Sequence, residues 1–147
     1  MENHEAVRKE LVAIAQGNGG VILPRSVVEA AKDRKSPLHS WFCWDDSEAA
    51  ERYRIIQARE LIRSVKVEIG DQTPREVRAF VSLTPDRADG GGYRLAQEVV
   101  SDAQLYQQML RDALAELERF EQKYSRIKEL QYVFREARRV TKTRKAA

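Results

Sequence analysis

The chain has 147 residues, 42% of them hydrophobic and 33% charged, with a formal charge of +3. That length suits one compact domain with a modest core and an appended element. No apolar run approaches the ~20 residues that span a bilayer, and the opening MENHEAVRKELVAIAQ lacks the basic-then-apolar layout of a secretory signal, so no membrane partner is expected. Cys43 stands alone, forms no internal disulfide, and fits a reducing, cytoplasmic setting. The charge is uneven: from Lys123 onward nine Lys or Arg face two Glu, a local +7 that leaves −4 on residues 1–122.

Residues 4–16 place Val7, Leu11, Ile14 and Ala15 at helical spacing, and the pattern stops at GNGG. After VIL, Pro24 opens a second helix of about two turns in PRSVVEAAKDR, with Val27, Val28, Ala30 and Ala31 on its buried face. In SPLHSWFCWDD, Ser36 precedes Pro37 as an N-cap precedes a first-turn proline, and Leu38, Trp41 and Phe42 recur at i, i+3, i+4, which predicts a short third helix. DDSEAAERYRIIQARELIRS starts with capping residues and acids and carries Tyr53, Ile56, Leu61 and Ile62 through a fourth, long helix.

The period then changes. VKVEI (65–69) alternates, GDQTP is a turn, and VRAFVSL (77–83) is rich in β-branched and aromatic residues, so an antiparallel hairpin is predicted. TPDRADGGG reads as a flexible loop, and GYRLAQEVV (92–100) suits either a third strand or a short helix.

Ser101 with Gln104 has the form of a capping box opening nearly forty helical residues. Val99, Ala103, Tyr106, Leu110, Ala113, Leu117, Phe120, Tyr124 and Ile127 follow at steps of four and three, a coiled-coil-like heptad seam. Leu105, Met109, Leu114, Leu130 and Val133 widen it, as expected of a helix that buries more than one neighbour. The seam predicts a homodimer through Tyr106, Leu110, Leu117, Phe120, Tyr124 and Ile127, because so many exposed apolar side chains exceed what a monomer carries. The tail's Arg138, Arg139, Lys142, Arg144 and Lys145 suit a polyanion, and equally the negative end of a helix dipole.

Residues 24–50 have the cadence of a helix-turn-helix: an alanine inside the first helix, a polar turn, a serine opening the second, and an aromatic plug. The segment resembles the DNA-reading unit of tetracycline-repressor-type regulators, although no glycine occupies its turn, the second helix is shorter, and Asp45 and Asp46 stand near the end that meets phosphates. In that reading Ser36, His39 and Ser40 face base edges, while Arg25, Lys32, Arg34 and Lys35 hold phosphates. Leu38, Trp41 and Phe42 are then core, and Trp44 is the cap between helices. Plain helical packing accounts for the same pattern.

Other chemistry finds little support. His39, Cys43 and Asp46 have helical metal-ligand spacing, but a structural zinc site needs four His or Cys ligands and only His4 remains. No G-x-S-x-G and no phosphate-cradling GK[ST] signature occurs, and DGGGYR reads as a flexible or bulged element, so neither an enzyme nor a cofactor is expected. Through NGGVILPRSVVEAA, SPLHSWFCWDD, ERYRIIQARELIRSV, VRAFVSL, GGGYR and SDAQLYQQMLRDALAEL, the chain resembles short uncharacterised proteins encoded by phages and prophages. That resemblance implies an intracellular protein acting on phage or host DNA, or with another phage protein.

The expectation is an α+β fold: a helical, helix-turn-helix-like unit over 1–64, a small antiparallel sheet over 65–100, and a long helix with a basic tail over 101–147. The expected function is DNA binding, with transcriptional regulation as one role, by a non-enzyme whose hairpin lies beside the DNA as a wing. The alternative is an assembly or protein-interaction factor that works through the C-terminal helix.

Overall fold

A computed structural model describes residues 2–44, 48–69, 75–88 and 90–145, and it divides into two compact units, Met1–Asp102 and Ala103–Ala147. The fold mixes helices with small antiparallel sheets and ends in a long helix, as the sequence predicts. The caps at 45–47 and the turn at 70–74 lie outside the described residues.

In the first unit, α1 (Glu2–Gly17) buries Val7, Leu11 and Ala15, spaced four apart on one face. It ends where Gly19 and Gly20 take φ of 65° and 85°, which lets the Gly20 N–H return 2.8 Å to the Ala15 carbonyl. A two-residue strand, β1 (Val21–Ile22), leads into α2 (Pro24–Ala31), whose Pro24 fills a first-turn position where no N–H is needed. Val27, Val28 and Ala31 of α2 pack with Ala58, Leu61 and Ile62 of α3 (Glu48–Ser64) in a single apolar core.

Between α2 and α3 the expected third helix is a single 3-10 turn, His39–Trp41. The chain arrives through i→i+3 contacts, Ser36 N to Asp33 O at 2.9 Å and His39 N to Ser36 O at 3.0 Å, and the Ser36 hydroxyl accepts the Leu38 N–H at 3.2 Å. These local bonds satisfy the backbone without an α-helix. Phe42 then becomes extended (φ −120°, ψ 149°), which turns its ring inward. Leu38 and Phe42 are buried as expected, whereas Trp41 is 37% exposed. Trp41 instead leans edge-on against His4, ring centres 5.9 Å apart.

The hairpin of β2 (Lys66–Ile69) and β3 (Arg75–Arg78) pairs Lys66 with Arg78 and Ile69 with Arg75. The strand expected over 77–83 divides at Ala79. The Ala79 N–H donates to the Val65 carbonyl at 2.9 Å and its carbonyl accepts from Ala96 N at 2.8 Å, so the chain changes partners there. Beyond it, β4 (Phe80–Val81) joins a second sheet of order β1-β5-β4, all antiparallel, in which Ile22 faces Tyr93 and Phe80 faces Leu95. Segment 92–100 is both of its expected forms in succession: β5 (Tyr93–Leu95), then α4 (Ala96–Ser101).

The loop before β5 carries a 3-10 turn, Pro85–Arg87, and Asp86 holds Arg94 of β5 through two 2.7 Å hydrogen bonds. Those bonds raise the Arg94 guanidinium pKa, against the opposing pull of burial and with smaller help from Asp102 and Glu98. The glycines of DGGGYR serve the turn: Gly90 and Gly91 have φ near 79° and 76°, and a Cβ on Gly92 would sit 2.7 Å from Val21 Cγ1. Gly92→Ala is therefore expected to cost about 1–3 kcal/mol in urea unfolding by forcing β1 and β5 apart. Gly17→Ala, with nothing within 4 Å of its added carbon, is the control and should be neutral or stabilising.

The expected helix of nearly forty residues from Ser101 is two helices broken by a turn. Asp102 is extended (φ −95°, ψ 123°) and separates α4 from α5 (Ala103–Tyr124). Ser101 closes α4 by donating its hydroxyl to the Gln97 carbonyl at 2.8 Å rather than opening a helix, and Val99 of the expected seam is buried in the first unit. In the second unit, residues 125–130 form a turn ending in 3-10 geometry (Lys128–Leu130), and α6 (Gln131–Lys145) folds back on α5. Ile127 lies in this turn with extended backbone, off the helix expected to carry it to a partner. Gln131 Nε2 donates to the Ser125 and Ile127 carbonyls at 2.6 and 3.3 Å, replacing helical bonds lost at the bend. The reversal brings Phe134 against Phe120 and buries it, a gain that a continuous helix forgoes.

Candidate nucleic-acid interface

The residues expected to meet DNA fall into two groups, one in each unit. In the first, Arg25 and Lys32 lie seven residues apart on α2 and its C-terminal cap, and so on one side of that helix. Lys32 is held by Glu29 at 2.8 Å. Arg34 and Lys35 are exposed in the following turn, where Lys35 N–H donates to Asp33 Oδ1 at 2.9 Å. These surface pairs are worth little to stability and yield to a competing anion.

The three base-edge candidates have a different environment from the expected one. His39 Nδ1 lies 2.8 Å from the Ala31 carbonyl, so it must donate there, and its ring stacks on Trp44 with centres 4.9 Å apart. Trp44 in turn donates its indole N–H to the His39 carbonyl at 3.0 Å, and Arg54 lies 5.5 Å over the Trp44 ring. Ser36 serves the turn described above, and only Ser40 is exposed with its side chain outside these contacts. A major-groove reader presents side chains from several turns of helix, and three residues of 3-10 helix supply only one. Trp44, expected as a cap, clamps His39 and Arg54.

In the second unit, Arg135, Arg138, Arg139 and Lys142 stand at i, i+3, i+4 and i+7 on α6 and form one cationic face. From Gln131 to Lys145 six Lys or Arg face one Glu, a charge of +5 on a helix of 15 residues. Arg138 pairs with Glu121 of α5, and Arg139 with Glu136 at 2.9 Å. Arg135 lies 5.5 Å over the Tyr132 ring, and Lys142 has no ion pair among the described residues. Arg144 and Lys145 continue the helix, but their side chains lie outside the described ones. Sequence reasoning named Arg138, Arg139 and Lys142 but missed Arg135, whose i+3, i+4 and i+7 partners are the signal that finds it.

The remaining face of α6 is apolar. Val133, Ala137 and Val140 step by four and three along it, and Val133, Val140 and Tyr132 are exposed. Leu117 of α5 borders that surface, and on α5 Tyr106, Leu117 and Phe120 of the expected seam are exposed too, while Leu110 and Tyr124 are half-buried. Among the described residues no three His, Cys, Asp or Glu converge as metal ligands, and no helix is long and apolar enough to cross a membrane. No protein-family model, curated protein or solved structure matches the chain.

Proposed function

We propose that this protein is a non-enzymatic DNA-binding protein that holds the duplex by its phosphates through the cationic face of α6. The observation that carries the reading is the alignment of Arg135, Arg138, Arg139 and Lys142 on one side of a single helix, away from its apolar side. Such a face matches the charge density of a phosphate backbone and gains affinity by releasing condensed counterions. It positions a protein on DNA without choosing a sequence. Arg25, Arg34 and Lys35 offer a second set of phosphate contacts. With a lone Cys43 and DNA as partner, the cytoplasm is the fitting compartment, and phage or host DNA is the target that the resemblance to phage proteins implies.

Fluorescence anisotropy with a mixed-sequence duplex tests this. Binding through about four phosphates weakens about a hundredfold between 50 and 200 mM salt, because log K falls with a slope near −0.9 per phosphate. Replacing Arg135, Arg139 and Lys142 together by Gln should lower the slope by about 3 and leave the fold intact. Undetectable binding at tens of micromolar protein in 50 mM salt, or binding indifferent to the triple change, sinks the reading. The second reading, an assembly factor acting through the α5–α6 hairpin, is favoured by the exposed apolar side chains of that hairpin and stands if such a protein self-associates but ignores DNA.

A further inference from the structure

Among its described residues, the second unit, residues 103–147, has a single large side chain that is fully buried, Phe134. Two helices of 22 and 15 residues with one such anchor fall short of what isolated domains of this size need, which is usually a metal, a disulfide or a partner. The apolar side chains left exposed or half-buried in this unit are not scattered. On α6 they follow the heptad steps Val133, Ala137, Val140, and Leu117 of α5 borders the same shallow apolar surface. On α5, Tyr106, Ala113, Leu117, Phe120 and Tyr124 follow heptad steps along an adjoining face, edged by Glu116 and, beyond it, Asp112.

We infer that two copies of this chain associate through their α5–α6 hairpins into a four-helix bundle, with the apolar strip of each α6 seated on the α5 of the other copy. Heptad spacing on both helices is what knobs-into-holes packing requires. A two-fold axis supplies each strip with its counterpart at once. Side by side, helices about 33 and 22 Å long and about 10 Å wide present a face of roughly 600 Å², near the ~800 Å² per partner of a stable interface. Charge selects the pairing. The α6 helices carry +5 each and repel one another, whereas α5 has four acids against three bases, a charge of −1. Setting α6 beside the other copy's α5 brings the basic helix to Asp112 and Glu116 and puts the two α6 helices on opposite corners. The cationic face of each α6 stays outward, so the association neither requires DNA binding nor obstructs it.

The test is the mass of the full chain by light scattering and sedimentation equilibrium, for wild type and for Val133→Glu with Val140→Glu. Both valines are exposed, so their change leaves the monomer's fold standing. Wild type should sediment at twice the 16.9 kDa chain mass, and the double variant should dissociate at least about a hundredfold more readily with an unchanged helical circular-dichroism spectrum. Glu116→Lys, at an exposed helix position, should weaken the dimer about tenfold if α6 lies beside α5. A monomeric wild type at tens of micromolar overturns the inference, as does a dimer that keeps its affinity in the Val133/Val140 variant. A dimer indifferent to Glu116→Lys overturns the α6-on-α5 arrangement.

Discussion

Replacing Phe42 by alanine is expected to lower the unfolding free energy by about 3–5 kcal/mol, while the same truncation of Trp41 should cost only about 1 kcal/mol. The larger ring of the adjacent residue is the one that matters less. Phe42 is 7% exposed and belongs to the main core with Leu38, Val28 and Ala58, so its removal opens a cavity that the helices around it cannot close. Trp41 loses one edge-on contact with His4 and some half-exposed surface. Urea unfolding followed by far-UV circular dichroism reads both. Equal losses for the two variants, or a Phe42→Ala loss under 1 kcal/mol, would show that the extended backbone at Phe42 does not turn that ring into the core.

The contrast follows from a difference of period. At 100° per residue, Leu38, Trp41 and Phe42 share one helical face, and that spacing is all that the letters provide. The chain instead makes a 3-10 turn and then extends, which separates Trp41 from Phe42 by turning one outward and the other inward. Where strong local signals act alone, the sequence is sufficient: GNGG ends α1 and Pro24 opens α2. The bends at Asp102 and at 125–130 contain neither glycine nor proline, so nothing local marks them. Burial of Phe134 against Phe120 rewards the second bend, and that contact exists only after the chain has turned. Likewise, the β-branched and aromatic residues over 77–83 show a strand but not that Ala79 hands it from β2 to the sheet of β5.

The candidate interface was legible in the same partial way. Basic residues near the end of the chain are plain in the sequence, and helical periodicity sorts four of them onto one face of α6. The expected base-reading trio was not fixed by its spacing, because His39 is taken up by the Ala31 carbonyl and the Trp44 ring. Residues able to hydrogen-bond a base are equally able to hydrogen-bond the end of the preceding helix, and here the shorter path wins.

The largest stability term that spacing conceals is the Asp86–Arg94 pair, and Asp86→Ala is expected to destabilise the protein by about 3 kcal/mol. Asp86 is set in a loop, yet its side chain is only 9% exposed and meets Arg94 with both oxygens. Removing it leaves a guanidinium, 23% exposed, on the central strand of the β1-β5-β4 sheet without its bidentate partner. Glu98 and Asp102 attract the same cation more weakly, which holds the expected cost at the lower end of the range for broken buried pairs. The backbone of Asp86 adds to its role: its carbonyl accepts the Gly92 N–H at 2.9 Å, so the pair and this bond together fix the loop where β5 begins. Replacing both partners by leucine removes the desolvated charges along with their attraction and should cost clearly less than Asp86→Ala alone. A double-mutant cycle in urea separates the two contributions. Additive losses, or a single-variant cost below 1 kcal/mol, would mean that water reaches Arg94 freely and that the loop is held by the backbone bond and the close approach of Gly92 to Val21 instead.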